Sequence, residues 1–294
     1  MVRRAALLAV SALTAVTLLG APASSITGNY VPDFQHPFVG LVVFYDDEGA
    51  FSHRCSGSLL TPIVFLTAGH CTEGVNSARV YVQQDAGAHF DAEIELDPVS
   101  GYPETCAPGT ADVCTTSSEL YNYGFHDFVG FPNTRDAGLV ILDAPIDLPE
   151  YGVLASPGSL DRLADRLAKK HVTFTVSGYG LSRTNPAFTL SFRSRLMAKT
   201  TLVNLHNALT RGFNLQTTAN PGGGKGGTCF GDSGGPVFSG GFGSNTIVGV
   251  TSFGLSPTCR GVDFAYRTDR RAVLRWILGH VPASERDEIE VVRL

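Results

Sequence analysis

The sequence predicts an all-β chain in two comparable halves with a cleft between them, and three observations carry that reading. Short runs rich in Val, Ile, Phe and Tyr recur along the chain, such as Phe38–Tyr45, Ile63–Thr67, Arg79–Gln83, His171–Ser177 and Thr246–Phe253. Gly, Pro, Asp and Asn separate them, as expected where a chain turns between strands. Helical periodicity is convincing only near Ser159–Lys169 and in Asp269–His280, where Val273, Leu274, Ile277 and Leu278 fall on one face. A linker at Asp147–Gly158, with Pro149 and Pro157, divides the chain. Many short strands with few helices suggest barrels or a sandwich. The 294 residues are enough for a sizeable core.

The N-terminus has the order of an export signal. Arg3 and Arg4 precede the apolar run Ala5–Leu19, and small residues, Gly20–Ser25, follow. The signal is expected to cover 1–25, or 1–23 with a dipeptide trimmed later, which makes the product secreted and extracellular. No later stretch is long and apolar enough to span a bilayer, so no membrane association is expected once the signal is gone. Loss of Arg3 and Arg4 with the signal takes the formal charge from −5 to −7 and leaves no basic run, which argues against a nucleic-acid partner. Six cysteines, Cys55, Cys71, Cys106, Cys114, Cys229 and Cys259, are an even set in an exported chain and point to three disulfides. With no CxxC pair and no ligand spacing among the histidines, no metal site is expected.

The chemistry concentrates in "TCFGDSGGP", Thr228–Pro236. A hydroxyl is a poor nucleophile at neutral pH and needs a base for its proton and donors for the oxyanion that forms. Gly231 and Gly234 around Ser233 permit a tight turn whose amides share one small space, so the stretch supplies a nucleophile and an oxyanion hole at Gly231 and Ser233. The base then has to lie elsewhere. "LTAGHC", Leu66–Cys71, ends an apolar strand with small residues and presents His70, and "DAGLVIL", Asp136–Leu142, sets an acid at the mouth of a buried run. Asp127 and Asp143 compete for the acid's role, but only Asp136 directly precedes that run. The order His70, Asp136, Ser233 is that of chymotrypsin. "GGGKGG", Gly222–Gly227, is not a phosphate cradle, since it lacks the Lys-Ser/Thr pair and a following helix.

With these motifs in place, the chain resembles the chymotrypsin/trypsin family of secreted serine peptidases, and its compactness resembles the bacterial members. "CSGSLLTPIVFLTAGHC" is similar to the family's histidine region, "DAGLVIL" to its aspartate strand, "VSGYG" (Val176–Gly180) to the start of the second barrel, and "CFGDSGGP" to its serine loop. "TSFG" (Thr251–Gly254) followed by Cys259 resembles the substrate-binding strand, with Phe253 where tryptophan is usual. The resemblance implies two Greek-key antiparallel β-barrels with the active site between them and a C-terminal helix. The first barrel, 26–150, would carry His70 and Asp136, and the second, 151–294, Ser233. It implies a monomeric endopeptidase acting on proteins or peptides through an acyl-enzyme, without a cofactor, and the bridges Cys55–Cys71 and Cys229–Cys259. For Cys106 and Cys114 a local disulfide is the simplest reading.

Selectivity is less fully written. The trypsin pocket aspartate, six positions before the serine, is replaced by Gly227, followed by Thr228, so an apolar or aromatic side chain is expected before the scissile bond. An inward Asp263 would restore a basic preference. Ser252, Phe253 and Gly254 would pair with the substrate as an added strand. Acids in the insert before Asp136, namely Asp85, Asp91, Glu93 and Glu95, lack calcium-ligand spacing and read as a solvated loop. The resemblance also implies an activation pair, a free α-amine at Ile26 with Asp232, and the short stretch ahead of Ile26 suggests that export processing itself releases it, without a long zymogen. An inactive protease-like binding module is the alternative, against which the intact triad argues. A serine esterase would need a GxSxG elbow ahead of its acid and histidine, and the chain has neither elbow nor order.

Overall fold

β-Branched and aromatic runs become strands wherever both faces find cover, and a fully buried one of seven residues organises the first barrel. In a computed structural model, residues 26–86, 101–102, 105–106, 109–167, 172–185, 188–191 and 193–294 are described. The expected signal segment, residues 168–169 of the first helical stretch, and Asp91, Glu93 and Glu95 lie outside them. β1 (Val39–Tyr45) is buried along its whole length because β2 (Phe51–Leu59) and β4 (Ser77–Tyr81) pair with its two edges. β3 (Val64–Thr67), β5 (Cys114–Ser117), β6 (Glu119–Asn122) and β7 (Gly138–Ile141) complete an antiparallel sheet in the order β5-β4-β1-β2-β3-β7-β6, a nearly closed barrel.

The second barrel closes on itself. β8 (Thr173–Gly178), β9 (Leu196–Asn204), β10 (Asn214–Thr218), β11 (Pro236–Ser239), β12 (Thr246–Gly254) and β13 (Val262–Arg267) run in the order β11-β8-β9-β10-β13-β12, and β12 pairs back onto β11. The fold is thus the expected all-β pair of barrels with few helices. All five runs read as strands coincide with strands to within two residues at each end.

Three helical elements are present among the described residues. α1 (Gly69–Thr72) is a single turn after β3, α2 (Ser159–Leu167) precedes β8, and α3 (Arg271–His280) follows β13. α3 buries Val273, Leu274 and Ile277, three of the four residues of the expected face, in a core that also holds β1 and β3 side chains. Each such side chain is worth about 1.5–3 kcal/mol when fully buried. Disulfides join Cys55 to Cys71, Cys106 to Cys114 and Cys229 to Cys259.

A buried cation braces the barrels against each other. Arg195, just before β9, donates to the main-chain oxygens of Asp33, Val39 and Val82 at 2.9, 3.0 and 2.9 Å, so a second-barrel side chain satisfies first-barrel carbonyls. The Asp33 carboxylate accepts the Ser177 hydroxyl of β8 and sits 2.8 Å from His36 Nδ1. Buried polar groups tolerate this position because each has a partner.

Candidate active site

His70 stands on α1, three residues after the end of the fully buried strand β3, and Asp136 lies two residues ahead of β7, the neighbour of β3 in the sheet. The two strands bring the side chains together although 66 residues separate them. Asp136 is fully buried, and its carboxylate accepts the His70 main-chain N–H at 2.8 Å, the ring Nδ1–H at 2.9 Å and the Ser252 hydroxyl. A carboxylate only accepts, so Nδ1 carries the ring proton and Nε2 is left as the basic nitrogen. Burial disfavours both charged forms, but each group offsets that penalty in the other. The His70 pKa is held above its ordinary value by the Asp136 charge and hydrogen bond, and that of Asp136 below its own by His70 and Ser252.

Ser233 lies across the same cavity, on the turn between Gly231 (φ +94°) and Gly234 (φ +77°). Glycine is required at 234, where a Cβ would stand 2.1 Å from Thr67 Oγ1. The turn consumes most of its own amides: Asp232 N–H donates to Cys229 O, Gly234 N–H to Thr251 O and Gly235 N–H to Asp232 O, at 3.0, 2.8 and 2.9 Å. The amides of Gly231 and Ser233 are the exceptions, and neither donates to a protein acceptor among the described residues. Leu181 N–H holds the Phe230 carbonyl at 2.7 Å, and the planar trans peptide then points the Gly231 N–H the opposite way. Among the described residues the hydrogen bonds of the His70 ring go to Asp136, and none joins it to Ser233 Oγ.

The cavity, about 400 Å³, is also lined by Thr228, Cys229, Phe230, Ser252, Phe253, Gly254, Cys259 and Asp263. Gly227, expected at its base, is absent from the lining. It pairs with Thr27, and the Asp263 carboxylate occupies the space beside it, where a Cβ on Gly227 would come within 2.6 Å of Asp263 Oδ2. The register of the β12–β13 pair, with Gly254 opposite Asp263, turns that acid inward. Burial pushes its carboxyl up to about 6, against the Thr228 N–H bond of 2.6 Å.

Sequence reasoning missed the opposite wall. Phe125 and Phe128 reach the cavity from the loop ahead of Asp136, and Phe128 meets Phe253 edge-on at 5.5 Å. Phe253 in turn stacks on Phe264 at 4.5 Å. That loop is tied to the second barrel by Asn214 Nδ2–H to Pro132 O and Tyr266 O–H to Asn133 Oδ1, at 2.8 and 2.9 Å. Neither tie leaves a local sequence signal. Among the described residues, Cys55, His70 and Cys71 alone group as metal-ligand types, and the two sulfurs are bonded to each other, so no thiolate is available.

Residues 26–277 match the trypsin family model. The chain belongs to the trypsin family. It is 26% identical over 275 residues to melanization protease 1 of Drosophila melanogaster, covering 88% of this chain and 66% of that protein. It is 28% identical over 235 residues to a chymotrypsin of Phaedon cochleariae, covering 79% and 74% of the two chains. These relatives of the trypsin-family chain are insect proteases, so the expected bacterial affinity finds no support. A solved structure of HL collagenase shares the fold, with a TM-score of 0.60 at 18% identity over 86% of this chain and 97% of that one.

Proposed function

We propose that this trypsin-family chain is a secreted serine endopeptidase with His70, Asp136 and Ser233 as its triad. The observation that carries the proposal is a fully buried Asp136 bonded to His70, which lines one cavity with Ser233, on a turn that leaves the Gly231 and Ser233 amides unspent. Ser233 attacks the scissile carbonyl, His70 takes its proton through Nε2 and returns it to the leaving amine, and Asp136 holds the ring tautomer and stabilises its cation. The Gly231 and Ser233 N–H groups receive the oxyanion, and single donors of this kind are worth roughly 3 to 4 kcal/mol. Water then attacks the acyl-enzyme. Ser252–Gly254 offer main-chain pairing to the peptide, and the aromatic wall favours apolar neighbours.

In the residue before the scissile bond, an apolar or aromatic side chain is preferred while Asp263 is protonated. Once ionised, Asp263 gives Lys and Arg a counter-charge. Digestion of a mixed peptide library with a sulfonyl fluoride control tests both claims. Labelling is expected at Ser233 alone, with cleavage after apolar and aromatic residues throughout and a Lys/Arg share that rises between pH 5 and pH 8. The ratio of two substrates' kcat/KM values cancels the titration of His70. Asp263→Asn should abolish the rise. Binding of peptides with neither label nor cleavage would instead make the chain a protease-like binding module.

Activation is read from the N-terminal side of the same loop. Thr27–Gly28 pairs with Gly226–Gly227, and Ile26 is fully buried. The buried Asp232 accepts only the amides of Gly180 and Cys229, at 2.8 and 2.9 Å, among the described residues. Burial, aided by Asp263, pushes its carboxyl up to about 7 against those amides and the Arg54 charge. Cleavage before Ile26 would supply an ammonium to neutralise it. A raised acid contributes stability that is complete below its ordinary pKa of 3.8 and lost as pH rises through about 7. In the uncleaved chain, Asp232→Asn should therefore gain stability relative to wild type between pH 4 and 7, by a few kcal/mol at about 1.4 per pKa unit. In the cleaved chain the same substitution should remove activity. Denaturant melts of the uncleaved form and turnover of the cleaved one check the pair, and unchanged activity of the cleaved variant would refute the pairing.

A further inference from the structure

Ser56 lies on β2 beside Cys55, far in sequence from the serine loop and outside the triad. Its main-chain N–H donates to Ser233 O at 2.8 Å, and its hydroxyl donates to Gly231 O at 2.8 Å. The same hydroxyl accepts Tyr179 N–H at 2.9 Å, and its carbonyl accepts the Thr67 hydroxyl at 2.8 Å. The residue is fully buried, so no water competes for these contacts. A hydroxyl has one proton to give, and here it goes to the carbonyl of a residue whose own amide is an oxyanion donor.

The orientation of that amide depends on the two peptide planes flanking Gly231. Leu181 fixes the first by holding Phe230 O, and the second is held at both ends, by Ser56 at Gly231 O and by Cys229 O at the Asp232 N–H. Glycine at φ +94° has no Cβ to limit its rotation, so loss of the Ser56 tie leaves the second plane held at its Asp232 N–H alone and loosens the aim of the Gly231 N–H. We propose that the Ser56 hydroxyl is a positioning residue, a latch from the first barrel that sets the Gly231 amide toward the transition-state oxyanion. This rests on the peptidase reading above. The latch acts only on an interaction that strengthens as the oxyanion forms, so it belongs to kcat and not to substrate affinity.

Ser58 supplies the matched control, two residues along β2, equally buried, with a hydroxyl that has no partner among the described residues. In the processed enzyme, Ser56→Ala is expected to lower kcat about tenfold with KM within a factor of two, the scale of one hydrogen bond at roughly 1.4 kcal/mol. A peptide aldehyde, whose hemiacetal oxygen enters the oxyanion position, should bind about tenfold more weakly, while a cleaved peptide product binds as before. Ser58→Ala should leave all three values near wild type. If Ser56→Ala matched Ser58→Ala in kcat and aldehyde affinity, or raised KM in place of lowering kcat, the latch would be overturned while the peptidase reading stood. A wild-type enzyme that cleaves no peptide would take down both.

Discussion

Ser233→Ala is expected to leave a folded protein whose kcat for peptide hydrolysis is lower by about six orders of magnitude, the scale seen when a serine peptidase loses its nucleophile. The hydroxyl makes no hydrogen bond to the protein among the described residues, whereas the Ser233 carbonyl is held by Ser56 N–H at 2.8 Å and survives the substitution. Stability should therefore stay within the ±0.5 kcal/mol typical of substitutions that break no named interaction. A stopped assay for peptide bond cleavage beside a denaturant melt separates the two quantities. Undiminished hydrolysis by a folded variant would remove Ser233 from the mechanism.

Asp136→Asn should cost about four orders of magnitude in kcat, less than the serine but for a different reason. The amide is nearly isosteric, so the loss is not one of shape. Asp136 now accepts from His70 N–H, His70 Nδ1–H and the Ser252 hydroxyl, and an amide has only one oxygen to offer these donors. An NH₂ facing Nδ1 selects the other tautomer and places the proton on Nε2, where the base is needed. The pH dependence should move as well. Wild-type activity should rise with pH as His70 loses its proton above the ordinary histidine range, because burial, the largest influence and an opposing one, is outweighed by the Asp136 charge, the Asp136 hydrogen bond and the Glu73 charge together. Without that charge the burial prevails and the rise should shift to lower pH. A variant with the wild-type profile would show that the carboxylate does not govern the ring.

The fold was legible because its signals are local. The β1 run is apolar through all seven residues, short, rich in Val and aromatics and bounded by turn residues, which marks a strand buried on both faces, and the α3 stripe at 273, 274 and 277 marks a core-facing helix. His70, Asp136 and Ser233 could be nominated because each sits in a short context of small residues or ahead of a buried run. The pocket was less legible because its walls come from pairing register and from loops. Nothing near Asp263 says which way it faces, and the answer depends on its being opposite Gly254. Gly227 drew notice as a vacancy in sequence, but the Asp263 carboxylate fills the space beside it. Phe125 and Phe128 drew no notice, because ties from Asn214 and Tyr266, distant in sequence, fix the loop's path. Ser56 carried no signal at all, since its partners at 179, 231 and 233 come from another barrel.

The division of the site between barrels has a consequence for biosynthesis. His70 and Asp136 flank strands that are complete by residue 141, whereas the Ser233 turn needs Thr251 of β12 to accept the Gly234 N–H and Cys259 to bridge Cys229. Chains fold from the N-terminus as they emerge, so the base and its acid are assembled well before the nucleophile is shaped. A half-made molecule, whose loose segments would be the easiest peptides to cut, therefore holds no competent centre with which to cut them. On the peptidase reading, the chain is shielded from its own nascent copies by the order in which its parts are made.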